Sequence, residues 1–402
     1  MDVFVARFPV FDGSRNVSVY ELSFRPGYEQ CCLTPEAASE GLTALLNFEE
    51  LAAGKKVIIH FTRELMLTGF PQLFSSDAMI PCVDGLLAGD SDVVTRCQQL
   101  RKRGYLLAVD NFSPDVARGP LSSLTNLARV RTAKHPPDEL RQICDDCCTR
   151  QILVGAKDID TQEQFMQATR MGFALFQGEF FSRPDITVGA ELGHNQLTCL
   201  RLIQEVNRQP FSYDTVAGLI EQDVGLTYRL LRLINSSWFG LRYEVRSIRH
   251  ALVLLGPAEV QQWASLVALS QAGEEKPELL TVALTRAKFA ESLAVMCGLR
   301  RNASELFLMG MFSVIDALMD QPMEAMLAEV PLSASIKNAL LAGDGPYGPL
   351  YRMMLAYERA DWPSLEKLAS SMGVPEAPLA PAFRHSIAWA TKALRTDATT
   401  AA

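Results

Sequence analysis

No part of the 402-residue sequence approaches the roughly 18 consecutive apolar residues that a membrane-spanning helix requires. The N-terminal stretch MDVFVARFPVFDGSRN has no basic segment followed by a long apolar core, which is the pattern of a secretory signal. We therefore expect a cytoplasmic protein that makes no use of a membrane.

An excess of positive charge is also missing. The 38 lysines and arginines are outnumbered by 46 aspartates and glutamates, so the net charge is −8, and both halves of the chain are acidic. A protein whose main partner is a nucleic acid usually has a basic surface. We therefore do not expect nucleic acid as the main partner.

The sequence lacks a spacing typical of a structural metal site. Its nine cysteines are an odd number, and their only metal-like spacing, that of Cys144, Cys147 and Cys148, has no second pair of Cys or His at zinc-finger distance. We interpret this group as part of a helix with buried thiols. We predict neither a bound metal nor a cofactor.

The predicted secondary structure changes near residue 186, from alternating strands and helices to helices alone. Residues 1–186 alternate short apolar strands with helical segments such as Gln162–Met171, and such repeated units predict a parallel sheet or barrel with functional groups at the C-terminal strand ends. Strands are predicted around Val17–Glu21, 55–61, Leu106–Asp110, 128–132, 151–157 and 173–178.

The second half is predicted to be all-helical. Residues 187–196 have two glycines and few large apolar side chains, which is typical of a linker, and residues 396–402 are predicted to be a disordered tail. Between them, residues 197–395 form the predicted helical domain. Ser247 is the expected N-cap of one helix, and Gly256-Pro257 ends that helix and begins the next.

The stretch 211–256 resembles the beginning of an HDOD domain, a helical domain related to the HD phosphohydrolases. The residues that carry the resemblance are Leu226, Leu230 to Leu233, Asn235, Ser236, Gly240, Ser247, Ile248, Ala251 and Leu254 to Gly256. The resemblance implies that the helices after residue 300 should hold a His-Asp metal pair. Ser313 and Val314 occupy those two positions, and neither side chain binds a catalytic divalent ion.

Three motifs in the first half resemble those of the EAL domain, a cyclic di-GMP phosphodiesterase. They are Glu21-Leu22-Ser23 followed by Arg25, then Asp110-Asn111-Phe112, and finally Gln177-Gly178. The fold implied is a shortened TIM-like (β/α) barrel. With the later Tyr357-Glu358 and Trp389, the whole chain resembles two-domain EAL–HDOD signalling proteins.

The EAL resemblance implies a site for two divalent cations, which this sequence does not supply. Such cations need several oxygen ligands. Four residues match the family motifs: Glu21, Arg25, Asp110 and Gln177. At the other positions this sequence departs from the family: it has His60 in place of an Asn, Pro81 in place of a Glu and Asn111 in place of an Asp. Arg131 lies near the position of the family's Lys, and Lys157 takes the position of its late catalytic Glu. We therefore predict a vestigial site without catalysis or metal.

Lys157 leads to a sharper hypothesis. Its ammonium group at the barrel mouth could lie between Glu21 and Asp110, replace the missing cations and relieve the repulsion between the two carboxylates. The ordinary alternative is that Lys157 points into solvent.

The function expected from the sequence is non-enzymatic signal transduction by protein–protein interaction, linked through the resemblance to cyclic di-GMP and to motility or biofilm. The protein partner is unidentified, and a homodimer stays open. One alternative is a cyclic di-GMP receptor that does not hydrolyse its ligand, with Arg25 on the phosphate. Another is a DNA-binding regulator that uses the helix-turn-helix-like segment 214–236 and nearby arginines such as Arg249.

Overall fold

The computed structural model describes residues 4–24, 51–183, 194–221, 230, 247–272 and 276–398. The chain divides into two compact units. The first unit contains residues 1–183 and 353–402, and the second contains residues 184–352.

Eight strands of the first unit close into a barrel. Strand β1 is antiparallel to β2 and to β8, and every other neighbouring pair from β2 to β8 is parallel. The strands are β1 Val5–Asp12, β2 Val17–Phe24, β3 Val57–His60, β4 Met79–Asp84, β5 Ala108–Asp110, β6 Leu127–Arg131, β7 Leu153–Lys157 and β8 Leu175–Phe176. The predicted barrel and the positions of its predicted strands are confirmed.

Within the described residues, five α-helices connect the strands from β3 to β8: α1 Arg63–Thr68, α2 Ser91–Lys102, α3 Pro114–Arg118, α4 Pro137–Thr149 and α5 Gln162–Arg170. Their starts follow from local chemistry. Thr161, for example, caps α5 by accepting from the Gln164 backbone, and the Gln164 side chain accepts in return from the Thr161 backbone. The connection from β5 to β6 is short, because α3 has only five residues and a 3-10 turn, Pro120–Leu124, follows it.

The barrel interior is filled by one layer of apolar side chains. This layer consists of Val10, Val19, Ile58, Ile80, Cys82, Ala108, Leu127 and Leu175, all buried. Because side chains alternate between the two faces of a strand, the residue two positions further along each strand also points inward, closer to the C-terminal edge. The register of the strands therefore decides which polar groups meet at the barrel mouth.

After the barrel, the described part of the chain contains twelve further α-helices: α6 His194–Asn207, α7 Tyr213–Glu221, α8 Ile248–Leu255, α9 Pro257–Ala272, α10 Pro277–Met296, α11 Ala303–Phe312, α12 Ile315–Met319, α13 Met323–Glu329, α14 Ala334–Ala342, α15 Gly348–Glu358, α16 Trp362–Ser371 and α17 Leu379–Ala398. Ser247 caps α8 by accepting from the His250 backbone at 3.1 Å, and Pro257 begins α9, as predicted. The helical second half is confirmed.

The boundaries differ in three places from those expected. Helix α6 begins at His194, inside the predicted linker 187–196, and α17 continues to Ala398, into the predicted tail 396–402. Residues 353–398 belong to the same unit as the barrel, although the sequence placed them in the helical domain 197–395. Aromatic packing explains this last difference, because the Phe4 ring lies 5.8 Å from the rings of both Tyr357 and Trp362.

Among the described residues, no single helix is both long enough and apolar enough to cross a bilayer. One pair, Ile248–Leu255 with Pro257–Ser270, meets the criteria of length and composition together, but its two parts are bent by 116°.

Gly310 allows α10 and α11 to pack closely, and this contact gives a testable prediction. A Cβ atom there would lie 2.4 Å from the backbone oxygen of Arg286 and 2.6 Å from the backbone nitrogen of Ala287. Gly310→Ala should therefore lower the free energy of unfolding by about 1–3 kcal/mol, because backbone atoms cannot yield as a flexible side chain can. Urea unfolding followed by circular dichroism measures this change.

Gly218→Ala in α7 is the matched control, since a Cβ at Gly218 meets nothing within 4 Å. Here Ala should stabilise the helix by about 0.5–1 kcal/mol because it has the higher helix propensity. Equal effects of the two substitutions would contradict the close contact at Gly310.

Candidate functional site

The barrel mouth holds a buried cluster of charged and polar side chains. Glu21 follows Val19 on the inner face of β2, His60 follows Ile58 on β3, and Asp110 follows Ala108 on β5. Lys157 ends β7, and Gln177 directly follows β8. The structure thus brings together five of the residues that the sequence selected.

Arg129 lies at the centre of this cluster. Its side chain is almost fully buried, at 2% exposure, and it binds both oxygens of Glu21, with Nη2–Oε2 at 2.5 Å and Nη1–Oε1 at 3.2 Å. Nη2 also donates to Oε1 of Gln177 at 2.6 Å, and the Gln177 amide nitrogen donates to Oε2 of Glu21. Glu21 is therefore held by a bidentate guanidinium and by an amide that is itself held by the same arginine.

Lys157 lies between the two carboxylates, as the sharper hypothesis predicted. Its Nζ donates to Oδ2 of Asp110 at 2.9 Å and lies 4.0 Å from Oε1 of Glu21. The ammonium group therefore separates two negative charges that would otherwise repel each other.

His60 and Cys82 complete the inner side of the site. Nε2 of His60 lies 2.9 Å from Oε1 of Glu21, 2.7 Å from Nη1 of Arg129 and 3.6 Å from Oδ2 of Asp110. A single ring nitrogen either donates to the carboxylate or accepts from the guanidinium, so the proton on His60 selects one of two hydrogen-bond patterns. Cys82 places its sulfur 3.9 Å from Nη1 of Arg129.

Burial and pairing act in opposite directions on the two carboxylates. Burial alone would raise the pKa of Glu21, but Arg129 and Lys157 hold it well below the usual value. Burial would likewise raise the pKa of Asp110, which the same two cations lower. Burial would lower the pKa of Arg129, but Glu21 and Asp110 raise it. Both acids are therefore ionised at neutral pH, and two permanent cations balance them.

A second buried polar group lies in the helical unit, at the end of α11. Oγ of Ser313 donates to the backbone oxygen of Gly310 at 2.7 Å and accepts from Nη1 of Arg286 at 3.1 Å. Val314 is buried, at 2% exposure. Burial raises the pKa of Asp316, which begins the next turn. This position is thus occupied by a satisfied hydroxyl, an alkyl group and an arginine.

The comparisons with known proteins agree with this architecture. The HDOD domain model matches residues 196–332. This region is an HDOD domain. The barrel before it is EAL-like, so the predicted combination of the two domains is confirmed.

Two relatives match nearly the whole chain. The YuxH protein of Bacillus subtilis is 29% identical over 392 residues, which cover 94% of this chain and 96% of YuxH. The cyclic di-GMP phosphodiesterase CdgJ of Vibrio cholerae is 29% identical over 382 residues, covering 92% of this chain and 88% of CdgJ.

Solved structures show more distant likeness. The YkuI protein of Bacillus subtilis, with an EAL domain and in complex with cyclic di-GMP and calcium, has a TM-score of 0.38 and 18% identity, covering 44% of this chain and 54% of YkuI. The BlrP1 protein of Klebsiella pneumoniae, in a complex with calcium and cyclic di-GMP, has a TM-score of 0.38 and 18% identity, covering 46% and 56%.

The structure corrects the choice of Arg131 as a site residue. Arg131 is the last residue of β6, and its side chain is 40% exposed and lies 3.6 Å from Asp158. Arg129, two residues earlier on the same face, points into the EAL-like barrel instead. It is paired in register with Gly155 on β7. A charged residue between Ala128 and Val130 in an apolar strand was the signal that the sequence interpretation missed.

Two other assignments change because strand faces alternate. On β4 the inward residues are Ile80 and Cys82, so Cys82, paired in register with His60, and not Pro81, faces the cluster. Asn111 turns away from it, with φ at 49° and with its amide donating to Oδ2 of Asp84 at 2.7 Å. Asp84 was not singled out from the sequence. Arg25 lies outside the described residues.

The residues at the barrel mouth do not fit a pair of divalent cations. Glu21 and Asp110 are its two carboxylates, and each is already bound by a cationic side chain. Among the described residues, no group of three or more His, Cys, Asp or Glu side chains is arranged to hold a metal ion. At the HD-type position, Ser313 and Val314 offer no ligand pair either.

Removing the central guanidinium should damage the barrel strongly. Arg129→Met leaves the buried carboxylate of Glu21 without its main partner, so we expect a loss of about 3–5 kcal/mol in the free energy of unfolding. Arg131→Ala, on the same strand but half exposed, should cost about 1 kcal/mol or less. Urea unfolding measures both.

The double variant Glu21→Gln with Arg129→Met separates the causes. Because it removes the unpaired charge together with its partner, it should regain much of the stability lost in Arg129→Met alone. If Arg129→Met cost no more than Arg131→Ala, the buried cluster would not stabilise the barrel.

Proposed function

We propose that this protein is a non-enzymatic signalling protein that acts by binding other proteins, within cyclic di-GMP-linked regulation of motility or biofilm. The observation that carries the proposal is the pairing of both mouth carboxylates with Arg129 and Lys157.

Phosphodiester hydrolysis on an EAL-like barrel depends on cations that activate water and neutralise the phosphate. Here two side-chain cations already neutralise the carboxylates. A divalent ion would have to displace a guanidinium that is 2% exposed and hydrogen-bonded to Glu21 and Gln177. It would then meet an imidazole and a thiol where hard cations prefer oxygen. This chemistry favours a structural role for the cluster.

The link to cyclic di-GMP comes from the relatives. CdgJ is named as a cyclic di-GMP phosphodiesterase, and its similarity to this chain extends over both domains. This chain is similar to CdgJ over both of its domains, but its mouth carboxylates are paired with internal cations. We therefore place it in the same signalling system in a role that does not require hydrolysis of cyclic di-GMP.

Two alternatives are less well supported. A receptor for cyclic di-GMP would need free polar groups at the mouth, but Gln177 is engaged by Glu21 and Arg129. Most of the helix-turn-helix-like segment 214–236 lies outside the described residues. Arg249, one of the arginines considered for DNA, is paired with Asp214 at 2.5 Å, which removes its charge from phosphate binding.

The proposal predicts that the full-length protein does not hydrolyse cyclic di-GMP. Incubation with the nucleotide and either Mg²⁺ or Mn²⁺, followed by chromatography of the products, should show no linear dinucleotide above a protein-free control. The reason is that Glu21 and Asp110 are each already bound by a cationic side chain.

The Glu21→Gln variant makes this result interpretable. Turnover by the natural chain that disappears in Glu21→Gln would refute the proposal, whereas turnover of equal rate in both would identify a contaminating enzyme. Titration calorimetry with cyclic di-GMP, with and without Arg25→Ala, distinguishes a receptor from a protein that only binds other proteins.

A further inference from the structure

The end of β8 leads into a rigid arm between Gln177 and Glu179. Gly178, between them, has a φ of 153°, and a Cβ there would overlap the backbone of Ile159. Backbone hydrogen bonds from Ile159 to Gln177 and from Phe180 to Ile159, at 3.0 and 3.1 Å, fix both sides of the glycine. The Glu179 backbone also donates to Oδ1 of Asp160 at 3.1 Å. Gln177 and Glu179 must therefore move together.

Glu179 at the outer end of this arm is held by Arg359. Nε and Nη2 of Arg359 bind the two oxygens of Glu179, at 2.7 and 3.2 Å. Both side chains are about half exposed, so the pair adds little stability by itself, but its bidentate geometry specifies an orientation.

The position of Arg359 is set by an aromatic cluster. Tyr357, near the end of α15, packs against the rings of Phe4, Trp362 and Phe383 at centroid distances of 5.8, 5.5 and 4.4 Å. All four rings are buried. Because such a core does not slide without losing its packing, Arg359 moves only as α15 moves.

Helix α15 is also the element in which the division between the two units falls. It begins at Gly348, in residues 184–352, and ends at Glu358, in the unit that contains the barrel. This helix therefore begins in residues 184–352 and ends directly before Arg359, the residue that binds Glu179.

We propose that Arg359 is a positioning residue through which helix α15 controls the position of Glu179. A change in the position of α15 shifts Glu179 through Arg359, and the rigid arm passes this shift to Gln177 in the ionic cluster at the barrel mouth. The fold thereby connects α15 to the ionic cluster at the barrel mouth. This coupling does not depend on the proposed function.

The test compares two arginines of the same helical region. Arg359→Ala removes the contact with Glu179, whereas Arg352→Ala is the matched control, because Arg352 donates to the Gly343 backbone and lies 3.8 Å from Asp344, both in the second unit. Hydrogen exchange of the full-length protein, measured by mass spectrometry, should be about tenfold faster for the amides of 177–180 in Arg359→Ala. Arg352→Ala should leave them unchanged.

A second readout lies in the cluster itself. The chain has only five histidines, so the ring resonances of His60 can be assigned by substitution. Arg359→Ala and the milder Glu179→Gln should both shift the His60 ring signals, and Arg359→Lys, which keeps the charge, should restore them in part.

Three results would overturn the proposal. The first is faster exchange confined to 355–361 with unchanged His60 signals, which would make the ion pair a local contact. The second is an equal effect of Arg352→Ala. The third is faster exchange throughout the barrel strands, which would indicate a general loss of stability instead of a directed coupling.

Discussion

The structure of the barrel mouth depends on the ion pair between Arg129 and Glu21. Burying a carboxylate without a partner destabilises the folded state. The Arg129 guanidinium offsets this with two parallel hydrogen bonds to Glu21, and it also donates to Gln177. Lys157 does the same for Asp110 and separates the two acids. The two permanent cations balance the two carboxylates without any bound ion. Burial would lower the pKa of His60, but Cys82 and Glu21 raise it to about 10, so His60 adds a further positive charge at neutral pH.

The backbone is arranged to make this cluster fit. Gly178, next to Gln177, allows the close passage of the chain beside Ile159. The HDOD region also holds a buried arginine beside a polar group, because Arg286 donates to the hydroxyl of Ser313.

The sequence predicted the class of fold well, because strand alternation and helix periodicity are local properties. It also selected Glu21, His60, Asp110, Lys157 and Gln177, which meet in the structure because Glu21 lies on the inner face of β2 and each of the others ends or follows a strand. It missed Arg129 in favour of Arg131. Both arginines lie on one face of β6, but Arg129 lies deeper in the barrel, at 2% exposure, whereas Arg131 ends the strand with its side chain 40% exposed. Depth along a barrel strand is a tertiary property that a motif cannot supply.

Residues 353–398 form one compact unit with the barrel, which the sequence did not indicate. Their helical pattern is the same as that of the HDOD region, and nothing in one sequence shows that Phe4 packs against Tyr357 and Trp362. Asn111 was selected because it follows Asp110, but its left-handed backbone turns its side chain to Asp84. Neighbours in sequence can thus face different parts of a barrel edge.

The central claim is that Arg129 and Lys157 already pair with the carboxylates at the barrel mouth. The most direct test is the free energy of unfolding of the full-length protein, measured in rising concentrations of Mn²⁺. A ligand that binds only the folded state at one hundred times its dissociation constant adds about 2.7 kcal/mol. We predict no increase in the urea midpoint, because the carboxylates are already paired. An increase that grows with Mn²⁺ and is lost in Glu21→Gln would show that the mouth binds metal and would contradict the account.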